Sequence, residues 1–308
     1  MALNVFQHLH HTNRQSFARA MQGFTLIELI IVIVLMSAVG ILVGQLFSQP
    51  FTQYQAASRR AELSSLANAA LNRMSSDINN AVPNSVRVIE DNSGGTRVVR
   101  LEFLLIAAGG RYRYVEDANQ SELDALSPAH LDSQFNSLGD IDLNSIPAGH
   151  QLVVNPFNTQ ALYSAASGAG SSIGIITPNS TTFSLNKSAA INEDGITLSA
   201  PFQFDYVGTG STRNRFYFTS TPVSYRCSQT TGQLTRFTNY SVAGTLTSNA
   251  PTGAGVNSAL VLNNIANCRF LYESGISQRL GLVTLQLSVA SEAESVNLVK
   301  QVRFYNVP

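Results

Sequence analysis

Glu28 is the ionisable residue whose position most needs a chemical explanation. It sits one turn inside an apolar run, Phe24 to Phe47, where the only other clearly polar side chains are Thr25, Ser37 and Gln45. An ionised carboxylate inside a bilayer costs at least ~2.5 kcal/mol, so it is expected to meet a cation or hydrogen-bond donors. Other residue types that carry chemistry are sparse. Cys227 and Cys268 lack the CxxC spacing of a zinc or redox site. His8, His10 and His11 have no acidic or cysteine ligand nearby, and His130 and His150 have no nucleophile beside them. There is no GxxxxGK[ST] phosphate loop, GxSxG elbow or HExxH pair. The expectation is a protein that is not an enzyme and holds no cofactor or metal.

Charge points the same way. The 308 residues carry 19 basic and 19 acidic side chains, a balance unlike that of a nucleic-acid groove. Arg111-Tyr-Arg-Tyr114 and Arg213-Asn-Arg-Phe-Tyr217 could stack on bases or sugars. The favoured reading is strand alternation, with aromatics inside and bases outside. The acid pairs Glu116-Asp117 and Glu193-Asp194 read as solvated loop charges.

These residues need elements to position them. A helix over the 24 residues from Phe24 to Phe47 is about 36 Å long, enough to cross a bilayer core with some tilt. Gly40 and Gly44 stand at GxxxG spacing, extended by Ser37 and Ser48, a stripe that lets helices approach closely in lipid. Pro50 should kink or briefly break the helix. Beyond it Tyr54, Ala57, Ala61, Leu63, Leu66, Ala70, Leu71, Met74 and Ile78 form an apolar face, with Arg59, Arg60, Glu62, Arg73 and Asp77 on the other side. Val82-Pro83 stops the helix.

From Ser85 the pattern turns to β. Ser85–Glu90 and Arg97–Ile106 flank a glycine-rich hairpin connection, and Ala107-Ala-Gly-Gly110 reads as a turn into Arg111–Val115. Residues 116–150 read as loop with one or two short helices. Strands are then expected at Gln151–Val154, Ile173–Ile176, Thr181–Leu185, Gly195–Leu198, Phe202–Val207, Arg215–Ser220, Val223–Cys227, Leu234–Phe237 and Arg269–Tyr272. A closing hairpin, Leu282–Ala290 with Val296–Tyr305, bends at Glu292-Ala-Glu294. Gly168–Ser172 and Ser248–Asn257 read as exposed loops. The fold class is α+β: a long N-terminal helix packed on a predominantly antiparallel β-sheet head.

Gly23-Phe24-Thr25-Leu26-Ile27-Glu28, heading so long an apolar helix, closely resembles the class III signal of type IV pilins and type II secretion pseudopilins. The resemblance implies that a membrane prepilin peptidase cuts after Gly23 and methylates the new N-terminal Phe24. It makes Glu28 the assembly glutamate, pairing with the amine of a neighbouring subunit. Residues 1–23 would be a leader, removed. They hold Arg14, Arg19 and no acid, so 17 basic against 19 acidic side chains remain, a net charge of −2. The first 22 residues lack the apolar core of a secretory signal peptide. Their bases suit a cytoplasmic N-terminus, although Arg59 and Arg60 weaken that signal and the resemblance gives the firmer orientation.

Four parts follow: the leader, 1–23; a transmembrane half-helix, 24–47; an amphipathic half-helix, 48–80; and an exported β-rich head, 81–308. Export to an oxidising compartment makes a Cys227–Cys268 disulfide the natural reading, worth about 4 kcal/mol by chain entropy. The implied partners are major and minor pilins, the prepilin peptidase and an inner-membrane assembly platform, with no nucleic acid. The implied location is the inner membrane, head in the periplasm, then a filament. Phe103–Tyr114, Pro222–Phe237, the Cys268 region and the C-terminal hairpin look like minor pilins of the PilW type. The alternatives are a J-type minor pseudopilin of type II secretion and, from another class, an exported enzyme or a pilin-anchored adhesin.

Overall fold

The structure, a computed structural model, describes residues 23–114, 124–127, 130–167, 173–187, 192–205, 214–274 and 281–304. The leader histidines, Glu116-Asp117, Gly168–Ser172, Val115, Val207, Arg213 and Tyr305 lie outside them. The chain divides into two compact units, 1–55 and 56–308.

Helix α1 spans Leu26–Asn79 and continues through Pro50 without the break expected there. Proline removes one hydrogen bond and adds a clash, and the long uninterrupted helical stretches on either side outweigh that local cost. The strands are β1 (Arg87–Asp91), β2 (Val98–Arg111), β3 (Asp132–Ser137) and β4 (Gln151–Val154). After helix α2 (Thr159–Ser167) come β5 (Ile173–Gly174), β6 (Phe183–Asn186), β7 (Asp194–Phe204), β8 (Arg215–Ser228) and β9 (Gln233–Thr238). Then follow β10 (Asn257–Leu262), β11 (Ile265–Glu273), β12 (Gly281–Ser291) and β13 (Glu294–Phe304).

One sheet runs β1-β2-β8-β9-β10, with β4 on the first half of β8. A second is the meander β11-β12-β13, and a third groups β3, β5 and β6 around β7. All pairings are antiparallel except β5 with β7. This is the α+β arrangement expected from the sequence, a long apolar N-terminal helix followed by antiparallel sheets. In the second unit, Leu63, Ala67, Ala70, Leu71, Met74 and Ile78 of α1 enter one core with Leu101, Phe103 and Tyr225 of the first sheet and Phe270, Leu285 and Leu287 of the second. Burying a Leu- or Met-sized side chain is worth roughly 1.5–3 kcal/mol, so this stripe binds the amphipathic half to both sheets. Tyr54, Ala57, Ala61 and Leu66, expected on that face, are exposed.

Several local expectations need correction. Ala107–Gly110 is no turn, because β2 runs on to Arg111. A Cβ on Gly109 would come within 2.9 Å of the Phe216 carbonyl oxygen, and one on Gly110 within 2.9 Å of the Phe216 ring. These glycines admit a neighbouring strand closely instead of reversing the chain. The two segments around Pro222 are one strand, β8, with Pro222 opposite a bulge between Leu104 and Ile106. The two segments around Pro201 likewise join as β7. Residues 116–150 contain β3 and, among those described, no helix; the short helix is α2, begun by Asn158 Oδ1, which accepts from the Gln160 and Ala161 nitrogens.

Candidate assembly site at the N-terminal helix

Gly23, Phe24 and Thr25 precede the helix, and a Cβ on Gly23 would meet nothing within 4 Å. Thr25 Oγ1 accepts from the Glu28 backbone nitrogen at 3.3 Å, and the Thr25 carbonyl oxygen accepts from the Leu29 nitrogen at 3.2 Å. Thr25 is therefore the N-cap and Glu28 the third helical residue. This is the spacing of a capping box, in which one orphan donor of the first turn is satisfied by the threonine hydroxyl. The partial positive charge at a helix N-terminus also favours a carboxylate there.

Behind Glu28 the helix is apolar all round. It is long and apolar enough to cross a membrane, and none of its most apolar stretch is buried in the chain. Leu26 is 77% exposed and Ile27 68%. Ser37 removes its polarity locally, its hydroxyl donating to the Ile33 carbonyl at 2.7 Å. Gly40 and Gly44 face open space, as a close helix–helix contact requires.

The cysteines occupy a different place. Cys227 on β8 and Cys268 on β11 are disulfide-bonded, with Cα atoms 6.5 Å apart. The bond joins the first sheet to the second at the floor of the core that receives α1.

Polar groups left aside by sequence reasoning tie the head together. Asp77, read as lying on the solvated side of α1, accepts from the Tyr225 hydroxyl at 2.7 Å and from Arg236 Nε at 2.8 Å. Arg59 pairs with Glu292 at 3.2 Å and Arg60 with Glu294, so both bases that weakened the orientation signal meet acids at the β12–β13 hairpin. Asp194 is fully buried, not a solvated loop charge: it accepts from the Ile141 nitrogen at 2.6 Å and pairs with Lys187. Glu193 pairs with Arg113.

The largest such cluster surrounds Glu102, buried on β2. Arg87 and Arg100 pair with its carboxylate, and the Tyr240 hydroxyl donates to it at 2.9 Å. Arg87 also donates to the carbonyls of Ala243 and Gly244, Arg100 to those of Thr247 and Asn249, and Arg226 to that of Ser248. The loop read as exposed, Ser248–Asn257, is exposed over most of its length, and the Ser248 and Asn249 carbonyls at its start accept from Arg226 and Arg100. Burial pushes the Tyr240 hydroxyl well above the usual tyrosine range, with the Glu102 charge adding to it. Burial does the same to Tyr163, whose hydroxyl donates to the Ser85 carbonyl. Tyr225 is raised by burial and then by its bond to Asp77. Among the described residues no group of three or more His, Cys, Asp and Glu is placed to hold a metal ion.

Residues 18–44 match the family model of the prokaryotic N-terminal methylation motif. No curated protein and no solved structure matches the chain. The motif covers the capped helix start and most of the apolar run, and it supports the pilin and pseudopilin class. It implies processing by a prepilin peptidase and assembly with other pilins. Among the described residues one helix, at the N-terminus, is long and apolar enough to cross a membrane, and with the motif it supports a membrane-anchored, single-pass protein.

Proposed function

We propose that the chain is a minor pilin, cut between Gly23 and Phe24, methylated on Phe24, and co-assembled through its N-terminal helix to prime or cap a filament. The observation that carries this reading is Glu28, fixed in the first turn of an apolar helix behind an exposed Phe24 and a Gly23 with open space around it. Cleavage creates an amine at Phe24. On a neighbouring subunit that amine supplies the cation a membrane-embedded carboxylate needs.

The large β head, with Phe103–Tyr114 running along β2 and past its end and Pro222–Phe237 spanning the end of β8, a turn and most of β9, supports a PilW-type subunit, most like MshO of the mannose-sensitive haemagglutinin (MSHA) pilus system. In this reading the head has no enzymatic role, faces the periplasm, and ends near the filament tip. A J-type minor pseudopilin shares the plan, and the neighbouring genes separate the two.

The test is intact-mass analysis of membrane-extracted protein. The expected species begins at Phe24 and carries one added methyl group, while a bulky residue in place of Gly23 leaves the precursor uncut. An unprocessed N-terminus in the native protein contradicts the proposal.

A further inference from the structure

On the side of β8 away from β2, the neighbouring strand changes along its length. β4 pairs with β8 up to Thr219, and β9 joins only from Ser224. Residues 220–223 therefore have no strand on that side, and Pro222 among them has no backbone donor to offer. This gap in the sheet opens into a cleft of about 480 Å³, within the roughly 300–1,000 Å³ of small-molecule sites. Its walls come from the start of β4, from Asn179, and from the segments after β9 and before β10. Those walls are pinned within the protein. The Asn239 backbone nitrogen donates to Thr221 Oγ1 at 3.2 Å and its side-chain amide to the Gly255 carbonyl at 2.6 Å. Gln151 Nε2 donates to the Thr177 carbonyl at 2.7 Å. A cleft already shaped loses little freedom when a ligand enters.

Asn179, Ser220, Ser241 and Thr252 line this cleft, and their side chains form no hydrogen bond with any other described residue. Hydroxyls and amides both donate and accept, so together they suit a ligand that does the same at several adjacent atoms. Pro222, Val242 and Val256 add apolar surface to the same lining. No charged side chain lines the cleft, which leaves a phosphate, carboxylate or ammonium group without a counter-charge. A wholly apolar ligand strips water from the four polar side chains without replacing its hydrogen bonds. We infer that the cleft binds a neutral pyranose unit of a saccharide, its adjacent ring hydroxyls on Asn179, Ser220, Ser241 and Thr252 and its C–H surface on Pro222, Val242 and Val256. The site is formed by the head alone and is independent of the filament reading.

The test is saturation-transfer NMR on the full-length chain, held in a detergent without a sugar headgroup. The neutral probes are the methyl pyranosides of glucose, galactose and N-acetylglucosamine. Methyl glucuronide serves as the charged probe and N-acetylalanine methylamide as a neutral peptide probe. At least one neutral pyranoside should bind with a millimolar Kd, and the other two classes should bind more weakly. Asn179→Ala with Ser241→Ala should weaken binding about tenfold, the effect of losing two neutral hydrogen bonds. Both side chains are exposed and unbonded, so the melting temperature should stay native. Ser241→Trp, which fills the cleft, should abolish binding. The inference is wrong if no neutral pyranoside binds at millimolar concentration, or if the glucuronide or the peptide probe binds as tightly. It is equally wrong if both variants, melting as the native chain does, bind at native strength.

Discussion

Thr25 Oγ1 accepts from the backbone nitrogen of Glu28 at 3.3 Å, so the residue after the Gly23-Phe24 pair fixes the first turn that carries the carboxylate. The signal segment and the start of the helix are thus one local structure. An open Gly23 suits a peptidase, and the turn capped by Thr25 holds Glu28 in place.

Thr25→Val keeps the side-chain shape and removes the acceptor. Loss of an N-cap costs about 0.5–2 kcal/mol, concentrated in the first turn. The Glu28 amide should exchange faster with solvent deuterium in detergent, while Thr25→Ser restores native protection. Equal protection in all three contradicts a capping role.

The Glu102 cluster predicts a large stability effect far from the helix start. Glu102→Gln leaves the guanidinium groups of Arg87 and Arg100 without their carboxylate, and breaking a buried pair costs about 3–5 kcal/mol. The urea midpoint of the head should fall accordingly. Proteolysis should begin in 239–256, whose carbonyls those arginines hold.

Not all of this is legible in the sequence. The apolar run is visible because a bilayer demands a composition as well as a pattern, and Leu63 to Ile78 follow the helical period. The Thr25-Leu-Ile-Glu28 spacing is itself a helix-start signal, overlooked when only the hydrophobic pattern is followed. Arg100 and Glu102 alternate with Val99, Leu101 and Phe103 as a solvated strand face does. What buries them is a loop nearly 140 residues away in sequence (Tyr240 to Glu102), which no local pattern encodes. Gly109 and Gly110 look like a turn because a glycine pair serves a turn and a close strand approach equally well. Asn257–Leu262 escapes notice because it opens on the polar pair Asn257-Ser258 and its outer side pairs with no strand among the described residues.

Alkaline pH should destabilise the head through its buried tyrosines. Tyr163, Tyr225 and Tyr240 are all shifted upward, so in the folded head they keep protons that the unfolded chain loses near pH 10. Above that pH the unfolded state binds fewer protons, and stability falls as pH rises, by about 1.4 kcal/mol per unit for each such group. Below it their contribution is constant. Thermal melts from pH 8 to 11.5 should show a decline beginning near pH 10, and Tyr225→Phe should make it shallower. A flat profile contradicts the assigned burial.

Replacing both cysteines by serine removes a link between positions 41 residues apart, worth about 4 kcal/mol in the chain-entropy model. Because that link joins two sheets at the α1 groove, the double variant should expose the core face of α1 to proteolysis before the membrane half is affected. Peptide mapping that finds both thiols free in the native protein contradicts this.

The central claim is that Glu28 registers one subunit against another through a neighbour's Phe24 amine. Glu28→Ala relieves the cost of a membrane carboxylate and removes the pairing, whereas Glu28→Asp keeps the charge on a shorter arm. The measurement is the fraction of each processed variant recovered in sheared filaments, with insertion and cleavage followed in parallel. The account predicts that the alanine variant is inserted and cut but missing from the filament, with aspartate retaining part of the native level. An alanine variant that enters the filament as well as the native chain contradicts it.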